Sequence, residues 1–102
     1  MTHRLLLLDD HPAFRDSVAW FLRREHYDVH AVGDGDEAAT LLHRSNFDLV
    51  ITDRDHPGMS ADRIAELSER CIILTGSWHE TGVHKFVPIE DLVEHVRQVL
   101  AS

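Results

Sequence analysis

At 102 residues the chain has room for one compact domain, 1–102, with its own core and none for a second folded unit. Its formal net charge of -8, from 18 acidic and 10 basic side chains, is the reverse of a nucleic-acid binder's footprint, so no direct nucleic-acid binding is expected. Hydrophobic residues at 43% and charged residues at 27% exclude a disordered chain. The opening apolar stretch is too short for a secretory leader and no run approaches a membrane span, so a cytoplasmic protein without membrane contact is expected. The single cysteine, Cys71, excludes an intrachain disulfide and reads as a buried, reduced thiol. The nine histidines show no metal-ligand spacing and read as loop and surface residues. Of these, His11 and His56 stand beside acidic segments, where each reads more readily as a loop residue than as a metal ligand but could make metal selectivity or pH response atypical.

Leu5 to Leu8 is a continuous apolar run ending in Asp9 and Asp10, the pattern of a strand covered on both faces. From Pro12 the period becomes helical. Phe14, Val18, Phe21 and Leu22 share a face, Pro12 suits the first turn, Arg23 and Arg24 suit the last, and Trp20 points away from the core face. Tyr27 to Val32 alternates as a second strand, closed by Gly33-Asp34-Gly35. Asp34 or Asp36 can cap the next helix, whose inward face is Ala38, Leu41 and Leu42. Phe47 to Thr52 forms a third strand, rich in β-branched residues, ending at Asp53. A short helix from Ser60 or Asp62 carries Ile64 and Leu67. Cys71 to Leu74 is a fourth buried strand ending at Thr75, Val83 to Val87 a weaker fifth, and Leu92, Val93, Val96, Val99 and Leu100 line a last helix. Alternating β and α units of this kind predict an α/β, doubly wound parallel sheet.

Open α/β sheets bind ligands outside the C-terminal ends of their strands. Those ends carry Asp9 and Asp10, then Asp53, then Thr75. Three carboxylates in one crevice repel one another unless a hard cation sits among them, and Mg2+ prefers oxygen ligands and pairs readily with phosphate oxygens. A carboxylate whose charge is offset in this way can act as nucleophile toward phosphorus. The equatorial oxygens of a transferring phosphoryl group then call for a hydroxyl and a second cation, for which Thr75 and Lys85 are the candidates; Lys85 is the chain's only lysine. Taken singly, Asp9 and Asp10 read equally well as a solvated strand end, and Thr75 is ordinary for a strand.

The segments Leu6-Leu7-Leu8-Asp9-Asp10-His11-Pro12 and Asp48-Leu49-Val50-Ile51-Thr52-Asp53-Arg54-Asp55-His56-Pro57-Gly58-Met59 resemble the acidic-pair and phosphoacceptor segments of response-regulator receiver domains. The resemblance runs from Arg4 to Leu100, and the Asp-Asp-His-Pro-x-Phe-Arg form is similar to the LuxR/NarL-type branch. It implies a flavodoxin-like sheet of five strands in the order 2-1-3-4-5. It further implies that Asp53 accepts a phosphoryl group from a sensor histidine kinase or phosphotransfer protein, and that Asp9, Asp10, Asp53 and the backbone carbonyl of Asp55 surround Mg2+. By the same resemblance Thr75 and Lys85 sense the phosphate, a homodimer or an output domain is a possible further partner, and the chain is not an enzyme beyond its own phosphorylation and dephosphorylation.

The second half departs from that family pattern. Nine residues separate Thr75 from Lys85, whereas a helical crossover between parallel strands takes about a dozen or more. The helix between strands four and five is therefore expected to be missing, with Gly76 to Gly82 returning as an extended loop of roughly 3.3 Å per residue. Phe86 follows Lys85 where the family has proline, Val87-Pro88 offers a rival alignment that leaves the lysine unmatched, and Gly82 stands at the place of the family's aromatic switch residue. The alternative function is a phosphorylation-independent pseudo-receiver, a protein-protein interaction module. A metal-dependent phosphatase of small substrates is the third class, and the chain has no room for the enclosing cap it would need.

Overall fold

The computed structural model describes residues 2–53, 61–68, 70–75, 83–84 and 88–102, with only the backbone of Ala61, Asp62, Thr75, Val83 and His84. In chain order the elements are β1 (Arg4–Leu8), α1 (Pro12–Arg24), β2 (Asp28–Val32), α2 (Gly35–Arg44), β3 (Leu49–Asp53), α3 (Ala61–Glu66), β4 (Cys71–Thr75), β5 (Val83–His84) and α4 (Ile89–Ala101). All strand pairs are parallel, in the order β2-β1-β3-β4-β5. This is the doubly wound, flavodoxin-like order expected from the sequence.

Successive side chains of a strand face opposite sides, and the apolar runs serve two cores accordingly. Leu5, Leu7, Val29, Leu49, Ile51, Ile72 and Leu74 pack with Val18, Ala19 and Leu22 of α1 and Leu92, Val93 and Val96 of α4. Leu6, Leu8, Val32 and Val50 pack on the other side with Ala38 of α2 and Ile64 of α3. A sheet buried on both faces has no polar side for its central strands, which is why Leu5 to Leu8 reads as an unbroken apolar run. Trp20 is 55% exposed, on the outer side of α1 as expected.

The sequence-based boundaries shift slightly. β3 starts at Leu49 rather than Phe47, and the Arg4 guanidinium lies over the Phe47 ring, 5.0 Å from its centre. Arg4 N also donates to Asp48 Oδ2 at 2.7 Å, which fixes how the chain enters β3. Asp34, not Asp36, caps α2: its Oδ1 accepts from Asp36 N at 2.9 Å. Leu67 falls just beyond the end of α3. The fifth strand is described only as Val83–His84, and its expected continuation through Val87 lies outside the described residues.

The short connection between β4 and β5 is compatible with parallel pairing for a geometric reason. β5 starts opposite Leu74, with Thr75 opposite His84, so the chain has no full strand length to retrace. Only residues 76–82 intervene, which at roughly 3.3 Å per residue exceeds the distance of about 4.8 Å between neighbouring strands.

Candidate functional site

In this strand order the chain leaves β1 toward β2 on one side and β3 on the other, so the crevice at the topological switch opens between the C-terminal ends of β1 and β3. Asp9 and Asp10 follow β1 directly, and Asp53 is the last residue of β3. Asp9 is fully buried and Asp53 nearly so, at 3% exposure. The β1 ladder reaches one residue past the strand through Asp9 N donating to Val32 O at 3.1 Å. Arg15 Nη1 donates to Asp9 O at 3.0 Å from the first turns of α1. The two bonds hold the Asp9 backbone between β2 and α1.

His11 completes the group. Its backbone N donates to Asp9 Oδ1 at 2.8 Å, and this tight turn folds the residue back over the pocket as α1 begins with Pro12. Its Nδ1 then lies 3.2 Å from Asp9 Oδ1, 3.2 Å from Asp10 Oδ1 and 3.8 Å from Asp53 Oδ2. One ligand atom each from Asp9, Asp10, His11 and Asp53 fall within 4.8 Å of one another. Asp10 Oδ1 is buried without a hydrogen bond among the described residues. A buried carboxylate oxygen left so, with two more carboxylates beside it, is the donor set that a divalent cation satisfies. The residues present therefore fit the metal that the sequence implies.

Of the residues singled out by sequence, Asp9, Asp10 and Asp53 are brought together. Thr75 ends β4 beside β5, while its side chain, Asp55 and Lys85 lie outside the described residues. Two further residues contribute. His11, which the sequence marks as a loop residue able to alter metal selectivity, is a loop residue by backbone, at the N-cap of α1, and its ring faces the carboxylates. Arg15, four residues on, carried no signal beyond its place in the helix, and its role follows from Gly33: a methyl there would meet Arg15 Nη1 at 2.5 Å. Glycine at that turn leaves room for the guanidinium to reach the Asp9 carbonyl.

Comparison with known proteins agrees with this geometry. Residues 5–89 match the response regulator receiver domain family, and the chain belongs to it. It is 37% identical over 60 residues to the DNA-binding response regulator MtrA of Mycolicibacterium smegmatis, covering 59% of this chain and 26% of that protein. It is 36% identical over 64 residues to the regulatory protein VanRB of Enterococcus faecalis, covering 63% and 29%. The chain thus spans between a quarter and a third of the length of these relatives. Among solved structures, a CheY-like receiver domain from Methanospirillum hungatei superposes with a TM-score of 0.87 at 22% identity, covering 99% of this chain and 95% of that one. The response regulator TrrA of Thermotoga maritima, solved in complex with Mg(2+)-BeF, superposes with a TM-score of 0.81 at 29% identity, covering 96% and 99%. These matches support the family and do not single out the LuxR/NarL-type branch. Among the described residues no helix is long and apolar enough to cross a membrane.

Proposed function

We propose that this domain accepts a phosphoryl group on Asp53, in a Mg2+-dependent reaction with a sensor histidine kinase or phosphotransfer protein as donor. The observation that carries the reading is the convergence of Asp9, Asp10 and Asp53 at the switch point, with ligand atoms within 4.8 Å of one another.

Asp53 is held at the end of a buried central strand, so its carboxylate is presented at the crevice with little freedom to turn away. That positioning is the main contribution a protein makes to phosphoryl transfer. A carboxylate oxygen attacks phosphorus, a P–O bond forms, and the bond from phosphorus to the donor's imidazole nitrogen breaks with its electron pair leaving on that nitrogen. Asp9 and Asp10 would hold Mg2+, with the Asp55 carbonyl as the further contact implied by family resemblance. When bound, the ion supplies charge neutralisation for carboxylates and phosphoryl oxygens alike. Thr75 and Lys85 are the residues proposed to satisfy the new phosphoryl oxygens. The added charge at Asp53 is the signal, read by a homodimer partner or an output domain. As in receiver domains generally, such a protein modifies itself and turns over no separate metabolite.

TrrA, captured with Mg(2+)-BeF, is a relative at 29% identity over nearly this whole chain and supports the same chemistry here. The phosphorylation-independent reading is not favoured, because an interaction module has no use for three mutually repelling carboxylates in one crevice. Incubation with acetyl phosphate and Mg2+, followed by intact mass, tests the proposal. One phosphoryl group should be added to the wild type and none to Asp53→Asn or to the wild type in excess chelator. An unmodified wild type overturns it.

A further inference from the structure

His11 gives the pocket a donor that is not oxygen. Two ligands bonded to one cation at about 2.1 Å and standing about 90–110° apart are separated by roughly 3.0–3.4 Å. His11 Nδ1 lies 3.2 Å from both Asp9 Oδ1 and Asp10 Oδ1, and 3.8 Å from Asp53 Oδ2. The first two spacings match adjacent ligands on one cation and the third is wider; the ring reaches them through a turn fixed by His11 N to Asp9 Oδ1, with Nδ1 itself within hydrogen-bond distance of Asp9 Oδ1. The imidazole is two-thirds exposed, at 67%, so a cation can reach it from solvent. Mg2+ takes oxygen ligands and gains little from imidazole, whereas later first-row divalent cations bind nitrogen strongly.

We propose that His11 Nδ1 is a direct ligand in a mixed nitrogen-oxygen site with Asp9, Asp10 and Asp53, which binds a borderline divalent transition cation of the Zn2+ or Co2+ class more tightly than Mg2+. The inference rests on the proposed metal pocket and extends it to the identity of the cation. A ligand shift of this kind makes the domain's metal loading depend on transition-metal availability as well as on Mg2+.

The test uses the whole chain, wild type and two variants, titrated calorimetrically with Zn2+ and separately with Mg2+. His11→Ala removes the ring; His11→Asn also removes the nitrogen ligand but keeps a side chain suited to a helix start. Loss of one direct ligand should weaken Zn2+ binding by about tenfold or more in both variants, and leave Mg2+ affinity within about twofold. In wild type, Zn2+ should move the ring nitrogen resonance that disappears in His11→Ala, read by long-range proton-nitrogen NMR. If both cations bind the variants more tightly than wild type, His11 is only a counter-ion occupying the cation's place, and the proposal falls. Unchanged Zn2+ affinity, or an unmoved resonance, also overturns it. Those results, together with normal Mg2+-dependent labelling of Asp53, sink this inference alone. Failure of wild type to bind either cation and to be labelled sinks the phosphoacceptor reading as well.

Discussion

Asp10 shows how a single residue can set the balance between folding and cation binding. Its buried Oδ1 stands beside the Asp9 and Asp53 carboxylates, so the metal-free domain carries a like-charge cost on the order of 1 kcal/mol per close contact even where water screens it. Asp10→Asn should therefore raise metal-free stability by about that amount and reduce the rise in Tm produced by saturating Mg2+; thermal unfolding with and without the ion reads both. Cys71 is the other residue with a definite chemical expectation. Burial pushes its thiol up to about 11, with the Ser68 hydroxyl offsetting only part of the effect. Below pH 9 both folded and unfolded chains keep the thiol protonated and it has no effect on stability. Between about pH 9 and 11 only the unfolded chain ionises, so stability should fall across that window. Alkylation at pH 8 should accordingly be slow until denaturant is added.

Among the elements, the end of α1 follows a rule with an unusual residue. His26 has a φ of 69°, while its N donates to Arg23 O at 2.9 Å and Tyr27 N to Leu22 O at 3.4 Å. This is the paired closure in which glycine is normally found, because a side chain makes the left-handed conformation costly. His26→Gly should stabilise the domain by roughly 0.5–1 kcal/mol, measured by urea unfolding; a loss would mean the His26 ring makes contacts that outweigh the strain. At the other end of the sheet, Arg70 donates to Val99 O at 3.0 Å and Ser102 O at 2.9 Å, binding the carbonyls at the end of α4 to the start of β4. A guanidinium at a helix C-terminus satisfies orphan carbonyls and the helix dipole together. Neither closure has a readable signal in sequence, since one lacks its glycine and the other joins residues about thirty positions apart.

For the molecule as a whole, the informative departure from the family is the chain between β4 and β5. Because β5 starts opposite Leu74, the connection has only to span neighbouring strand ends. Doubling residues 76–82 with glycine and serine should then cost only about 0.6 kcal/mol; a much larger loss in chemical denaturation would mean that this segment contributes packing of its own. The run Cys71-Ile72-Ile73-Leu74 marked β4 correctly, with half-buried and buried side chains alternating along it, while the expected absence of a helix after Thr75 concerns residues 76–82, which lie outside the described residues. The extent of the fifth strand was less legible, since a short edge strand carries neither a long apolar run nor a repeated alternation to mark it.

The sequence by itself determined the class of fold, because unbroken apolar runs alternating with helical periods have few stable solutions other than a parallel sheet covered on both faces. It also determined the carboxylates: strands that end in Asp9, Asp10 and Asp53 must present them at one edge of that sheet. Only the tertiary structure decided what surrounds them. The turn from Asp9 to His11 is a matter of one backbone hydrogen bond and one ring rotation, and the place of Arg15 depends on Gly33 from a different βα unit. Such contacts join residues across a turn or between elements, where neither period nor composition leaves a trace. The carboxylate set was thus legible in the sequence, which marked His11 only as a neighbour of it; that its ring nitrogen joins the set was decided by the turn.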